Sequence, residues 1–430
     1  MAKPKRTAEW VKTALIVILT ISALLLGWRT RLFNDFFATI PFFGSVANLM
    51  RGTAGETETA GASIKEAARP ICIVITNETG KHYGVKYDTD ARNTVYDRTS
   101  SILSEALGSA AEPAVVSEDE WRAALSGQGM FFEYMTPVKL SVLDGWLGAR
   151  MPELSVDPSL RRVCVAFGED RSRIYFEDQE SGLFYGADTA SSAGKAQELG
   201  IYGANGTAFA FETDIIGANN APYMIIMPGS DHPDVRAGSA GDAESIRDIV
   251  LAALGHVDET FTTLPEADGA LRCVGTQFNI RVEPQGRVLY RRTDGPPPIG
   301  ERQSLSEGEM IERARVTVAN TIGETCGNAE AFFESLEYGA GDTCSVTFGY
   351  YIAGGRLHLY DGRIAAKVTF AYGMITEVEL NFRNFTLTGE NYGLLPERQA
   401  LAAAGEDFIL CYSDAGAEIL QPAWVIKADS

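Results

Sequence analysis

Residues 11–28, VKTALIVILTISALLLGW, constrain this chain more than any other segment, because they set the solvent in which the remainder must fold. No charge occurs from Ala14 to Leu26, and an indole stands at each end of the run, Trp10 and Trp28. A helix joining those indoles is about 27 Å long, close to the hydrocarbon thickness of a bilayer. Trp favours the headgroup level, so a matched pair suits a spanning helix. The expectation is a transmembrane helix over 11–28, anchored by Trp10, Val11, Ala14, Leu15, Ile16, Leu24, Leu25, Leu26 and Trp28. Lys3, Lys5, Arg6 and Lys12 outnumber Glu9 around its start, which favours a cytoplasmic tail at 1–10, although Arg29 and Arg31 reduce the asymmetry. Everything after the span is then extracytoplasmic. A cleaved signal peptide is the rival reading, but Gly27-Trp28-Arg29-Thr30-Arg31 is a poor cleavage site and no lipobox-type Cys follows. A buried soluble helix is the other rival, and it leaves the basic leader unexplained. Ser22, Ala23 and Gly27 offer a small-residue surface for helix–helix contact within the bilayer.

Residues 29–68 read as a juxtamembrane segment and linker. Leu32 to Met50 carries five Phe around Pro41 and suits either an interfacial helix or a first packed element. Arg51 to Ala68 is small and polar with no apolar period. Through Arg51 there are seven Lys/Arg and two Asp/Glu; the remainder carries 30 basic and 55 acidic residues, a net of −25. Such a surface repels nucleic acid and anionic wall polymers, which excludes those partner classes. With 430 residues, 45% of them hydrophobic, the chain can bury two cores after the anchor.

The first predicted ectodomain spans 69–264. It opens on the buried-strand run Ile71-Cys72-Ile73-Val74-Ile75. A helix follows over Tyr96 to Ala110, then one capped by Ser117 with Glu120, and a third over Leu140 to Leu147. Strands are expected at Arg162 to Phe167, Ile174 to Phe176, Gly206 to Glu212 and Tyr223 to Met227, with a closing helix over Asp242 to His256. Thr262 to Ala270 is the expected junction, and 265–430 the second ectodomain. There, strands near Cys273 to Val282 and Arg287 to Arg291 lead to a helix with a Ser306/Glu309 capping box. Another helix is expected around Ala329 to Leu336, followed by a meander of hairpins from Cys344 to Phe385 punctuated by Gly354-Gly355, Asp361-Gly362 and Tyr372-Gly373. A short helix to Ala404 and two strands, Phe408 to Tyr412 and Glu418 to Lys427, end the chain. The fold class expected is α+β, with antiparallel sheets and packed helices.

Chemical motifs are sparse. Ser192-Ala193-Gly194-Lys195 fits S-x-x-K but lacks the accompanying S-D-N and K-T-G elements. His82, His232, His256 and His358 are dispersed, and Asp231-His232-Pro233-Asp234 sits in a Gly/Ser/Pro context. No catalytic residue, cofactor site or metal site is assigned. Phe131-Phe132-Glu133-Tyr134 and Leu143-Asp144-Gly145-Trp146-Leu147 read as core in preference to a binding face. Six Cys lack any C-x-x-C pair. Cys72, Cys164, Cys273 and Cys411 lie in apolar runs and read as buried thiols, while Cys326 and Cys344 are the candidate disulfide pair.

The ending Leu420-Gln421-Pro422-Ala423-Trp424-Val425-Ile426, the segment Gly354 to Leu387 and the run Leu394-Leu395-Pro396-Glu397-Arg398-Gln399-Ala400 carry a resemblance. With the single span and acidic α+β ectodomain, they resemble the YycH/YycI family, including its PepSY-like unit of a helix on an antiparallel sheet. That family consists of membrane-anchored accessory proteins of the WalK/WalR-type two-component system in Gram-positive bacteria. The resemblance implies a non-enzymatic regulator acting on a membrane sensor histidine kinase, with a paralogous accessory protein as a further partner and the bilayer around its span. It brings no catalytic residues. The alternatives are an anchored envelope enzyme, such as a peptidoglycan hydrolase or transpeptidase, and an envelope-assembly scaffold or ligand-binding module.

Overall fold

The computed structural model describes residues 64–427 apart from 169–170, 191–198, 230–231, 296, 298–301 and 303. The expected span, its anchor and helix-contact residues, and the juxtamembrane segment lie outside the described residues. Among those described, no helix is long and apolar enough to cross a membrane.

The N-terminal sheet grows from runs that are apolar on both faces. Its strands are β1 (Cys72–Thr76), β2 (His82–Val85), β3 (Ala114–Val116), β4 (Gly129–Lys139), β5 (Ser159–Phe167), β6 (Ser172–Asp178) and β7 (Phe184–Thr189). They pair antiparallel in the order β2-β1-β4-β5-β6-β7-β3. Period-two alternation sends Ile73, Ile75, Phe132, Val163 and Val165 to one core, and Cys72, Val74, Phe131 and Cys164 to another. The first face is covered by α1 (Ile64–Ala67), α2 (Thr89–Gly108) and, after the intervening α3 (Glu118–Ser126), by α4 (Leu140–Leu147). The second is covered by α3, which plants Trp121 between Phe184 and Tyr223. Ser117 caps α3 by accepting from the Glu120 amide, but only half of the expected capping box forms, because the Glu120 carboxylate pairs with Arg173 instead of returning to Ser117. Helix α2 begins seven residues earlier than the apolar spacing suggested, because Asp88 caps it at the Ala91 amide and its polar first turns carry Arg92 inward.

A short ladder, β8 (Ala208–Phe209) with β9 (Ile225–Ile226), stands where two longer strands were expected. Strand β10 (His232–Ser239) then leaves this half, and α5 (Ala243–Ala253), capped by Asp242, leads into the C-terminal sheet. There β11 (Thr262–Pro265) and β12 (Leu271–Val274) make a hairpin across the expected junction. They continue through β13 (Phe278–Val282) and β14 (Arg287–Arg292). Helix α6 (Glu307–Ala319) has both halves of the Ser306/Glu309 capping box and is followed by the turn α7 (Ile322–Thr325).

The helix expected at Ala329 to Leu336 is instead strand β15 (Glu330–Tyr338), paired along its length with β16 (Thr343–Ile352). A bulge between Phe333 and Ser335 breaks the alternation, so the apolar positions fall at helix-like spacing within a strand. The expected meander is also reordered. Strand β16 is long enough to pair with β17 (Gly355–Leu359) at one end and with β18 (Ala366–Ala371) at the other. Strand β19 (Met374–Asn381) joins β18 to β14, while β20 (Arg383–Tyr392) departs to pair with β10. Helix α8 (Glu397–Ala404) buries Ala400 and Leu401 beside Phe408, Trp424 and the segment around Met224; the helices lying on the C-terminal sheet are α6 and, at β13, α5. Strand β21 (Phe408–Asp414) runs parallel to β17, β22 (Ile419–Leu420) joins β10, and β23 (Pro422–Ile426) closes on β21. The architecture is thus mixed α+β, with antiparallel sheets and packed helices.

All described residues belong to one compact unit. The two sheets meet along a seam of polar contacts set in apolar surroundings. Tyr87 lies against Gly354, whose φ of +82° and lack of Cβ admit the ring. The same ring makes edge contacts with His232 (4.6 Å) and Trp424 (6.3 Å), and its hydroxyl donates to Glu397. Glu397, 2% exposed, also accepts from Lys86 Nζ at 2.9 Å and from the Met227 amide. Arg92, equally buried, pairs with Glu330 at 2.7 Å from the opposite sheet. Thr136 donates to the Phe333 carbonyl at 2.7 Å, and Asn220 to the Gly405 carbonyl at 2.7 Å. Removing one partner of a buried pair leaves an uncompensated charge. Glu397→Gln should therefore cost about 3–5 kcal/mol in urea unfolding of the full chain; an unchanged midpoint would show that the pair holds nothing together.

Candidate ligand and interaction site

A concavity of about 240 Å³ opens along this seam. Two irregular strands border it: β4 loses register between Glu133 and Val138, and β15 does so between Phe333 and Ser335. Met135, Val138, Trp146, Val318, Phe333 and Phe348 supply apolar wall, drawn from β4, α4, α6, β15 and β16. Helix α1 stands at its rim with Glu66 and Ala67, so the segment entering the described fold passes this site.

The polar groups of the site are mostly cationic or donors. Arg92 is engaged by Glu330, Arg315 by Glu312 at 2.7 Å, and Arg69 by Glu66 at 3.2 Å. Tyr134, 3% exposed, lines the cavity, and its hydroxyl has no hydrogen-bond partner among the described residues. Burial pushes that phenol well above its ordinary range, with Tyr96 adding to the effect, so it stays an O–H donor. The Arg69 Nε is likewise buried without a partner.

A second polar cluster, centred on Glu133 in the middle of β4, ties the halves by charge. Glu133 meets Arg161 at 3.1 Å and Arg162 at 3.5 Å; Arg162 reaches Glu177 at 3.1 Å and Asp407 at 4.0 Å. Lys427 pairs with Asp407 at 2.6 Å. Burial would raise the Glu133 carboxyl, but the two guanidiniums more than offset it and hold it near pH 2. Burial, with Arg161 adding repulsion, lowers the Lys427 ammonium to about 8.

The histidines have structural surroundings. His232 opens β10 rather than lying in a loop, and packs between Tyr87 and Trp424. His256 bridges Glu259 (2.8 Å) and the Tyr290 hydroxyl (3.1 Å). His358 lies 3.3 Å from the Cys411 thiol. Around His82 an unforeseen chain appears: Thr76 Oγ1 is 2.9 Å from Nδ1, and Glu212 Oε2 is 2.9 Å from Nε2. That hydroxyl–imidazole–carboxylate order is that of a hydrolase triad with the two ring nitrogens exchanged. Thr76, however, is buried with its hydroxyl also 3.3 Å from the Leu125 carbonyl, out of reach of a substrate. The chain joins β1, β2 and the turn at Glu212. Ser192 and Lys195 lie outside the described residues. Among those described, no group of His, Cys, Asp or Glu is arranged to hold a metal ion.

Comparison with solved structures is informative at the level of fold. The solved structure of YycH from Bacillus subtilis superposes with a TM-score of 0.52 at 13% identity, covering 87% of this chain and 97% of that one. At that identity the likeness is one of fold. An uncharacterized protein from Eubacterium rectale aligns with a TM-score of 0.30 at 12% identity over 47% of this chain and 80% of that one, too distant to indicate a shared fold. No protein-family model matches the chain. No curated protein matches it.

The YycH-like fold brings together residues that the sequence reading kept apart or passed over. Phe131, Phe132, Trp146 and Leu147 are buried core, as expected from their runs. Glu133, Tyr134, Arg162 and Lys427 were missed. A signal existed for three of them, since Glu133 and Tyr134 sit in Phe131-Phe132-Glu133-Tyr134 and Arg162 directly precedes Val163-Cys164-Val165 in a buried strand. A polar side chain inside an apolar run must find partners or orphan itself. All six cysteines are free and buried; Cys326 donates to the Ala329 carbonyl at 2.9 Å and is not bonded to Cys344.

Two measurements follow from these environments. Glu133 is depressed from an ordinary 4.5 to about 2 in the folded state. Its contribution is therefore complete above pH 4.5 and lost as pH falls toward 2. Glu133→Gln should flatten the stability–pH curve in that window; an unaltered acid limb would refute the assignment. Burial also raises every thiol for which a shift is resolved, Cys164 to about 12 and Cys326 and Cys411 to about 11. Thiol titration should find no fast-reacting Cys in the native chain and six after unfolding without reductant. A count of four after unfolding would indicate a disulfide.

Proposed function

We propose that the protein is a membrane-anchored, extracytoplasmic regulator that modulates a two-component sensor kinase by direct contact, in cell-envelope homeostasis. The observation that carries this reading is the likeness to YycH, which extends over 87% of this chain and 97% of that one. The C-terminal features that resemble the YycH/YycI family point the same way, and that family implies an accessory protein without catalysis. The apolar segment 11–28 suits the single span such a regulator needs, with the tail at 1–10 in the cytoplasm. Two ectodomain parts, 69–264 and 265–430, then stand outside, where their acidic surface disfavours wall polymers and nucleic acid as ligands. In this reading contact runs through both membrane and ectodomain, with Ser22, Ala23 and Gly27 as the helix-contact surface. A paralogous accessory protein is the further partner.

In-cell crosslinking of the tagged full-length chain, followed by mass spectrometry, tests the reading. A sensor histidine kinase should be recovered with the full chain, and a variant carrying only residues 1–60 reports whether the span suffices. Recovery of wall-synthesis enzymes without any kinase would replace this proposal with the scaffold or enzyme alternative.

A further inference from the structure

We propose that the cavity at the seam binds a small uncharged aromatic molecule, no larger than two fused rings. This goes beyond the regulatory reading and does not depend on which partner the ectodomain contacts.

The polar groups around the cavity decide the charge of what it can hold. Each guanidinium in the lining already has its carboxylate: Arg69 has Glu66, Arg92 has Glu330 and Arg315 has Glu312. The Thr136 hydroxyl donates to the Phe333 carbonyl and the Cys326 thiol to the Ala329 carbonyl, so these lining groups are engaged as well. Tyr134 Oη and Arg69 Nε have no hydrogen-bond partner, but each exposes under 1 Å², which closes them to anything in the cavity. An ion entering here would lose its hydration with none of these groups free to replace it. A neutral apolar molecule meets no such penalty.

The wall decides its shape. Trp146 meets Phe333 edge-on with 6.4 Å between ring centroids, and Phe333 meets Phe348 in the same way at 6.3 Å. With Met135, Val138 and Val318 these rings form an apolar wall drawn from both sheets and from α4 and α6. Aromatic rings favour edge-to-face and offset contacts, so a planar ligand extends the series already present. A flexible chain of similar size would lose rotamer freedom on entering, and a rigid ring does not. Water against such a wall is poorly bonded, and an apolar group that displaces it gains affinity.

Volume sets the upper limit. An apolar cavity of about 150 Å³ accommodates benzene. At about 240 Å³ the seam cavity admits two fused rings and excludes a full-length lipid chain. Because its wall comes from both halves of the fold, a ligand bound there favours the closed seam by mass action.

Indole is the probe, and benzoate, similar in size but anionic, is its control. Calorimetric titration into the full chain in phosphatidylcholine nanodiscs, with empty discs subtracted for partitioning, should give one saturable indole site. Indole should also raise the Tm with concentration. Benzoate should bind at least about tenfold more weakly, because its charge would go unpaired. Ala319→Leu and Val138→Phe each add side-chain volume to the lining and should weaken indole about tenfold or more. Ala319 is half-buried at the end of α6, where Leu is a good helix former, so that variant should fold with a native Tm. Should Val138→Phe fail to fold, Ala319→Leu and the benzoate comparison carry the test. Absence of saturable indole binding overturns the proposal. So does equal binding of indole and benzoate, or wild-type indole affinity in the folded variants.

Discussion

Glu397 is the constraint on which the seam depends. A carboxyl that is 2% exposed must be compensated, and here Lys86, the Tyr87 hydroxyl and the Met227 amide all converge on it. Burial works against the Lys86 charge, but the adjoining Glu397 more than offsets it and holds that ammonium well above its ordinary range. The three donors come from the N-terminal half and the acceptor from α8, so the polar requirement of one side chain sets how the two sheets meet. Gly354 completes the arrangement, because a Cβ there would collide with the Tyr87 ring and backbone. Arg92 with Glu330 repeats the principle elsewhere on the seam.

Around those contacts the packing follows from strands apolar on both faces. Alternation along β1, β4 and β5 feeds two separate cores, one under α2 and α4 and one under α3. The larger core continues through β10 into the C-terminal sheet, with Val235 and Val288 in the same cluster. The irregular stretches of β4 and β15 both border the cavity at the seam.

Much of the local structure was readable. Ser117 with Glu120 and Ser306 with Glu309 marked helix starts that the structure reproduces, and the run from Ile71 to Ile75 gave β1. The failures have specific causes. In β15 a bulge imitates helical spacing, and in the segment Cys344 to Phe385 one long strand shares its edge between two partners. The candidate pair Cys326 and Cys344 flanked what proved to be a strand, and their thiols remain separate. Of the site, the aromatic core residues were legible, whereas Glu133, Tyr134 and Arg162 were taken up in apolar runs.

By itself the sequence determined what short-range physics can write. The uncharged run at 14–26 sets a membrane expectation, the excess of acid after Arg51 excludes anionic polymers, and caps and two-residue alternation place helices and strands. Tertiary structure alone decided which charges meet: Glu133 with Arg162 and, through it, Asp407; Lys86 with Glu397; Thr76 with His82 and Glu212. Caps and periodicity act over a few residues and leave a mark in composition. Pairings across the fold, such as Lys86 with Glu397 or Arg162 with Asp407, are selected only when two sheets close, because only then does desolvation make an unpaired charge costly.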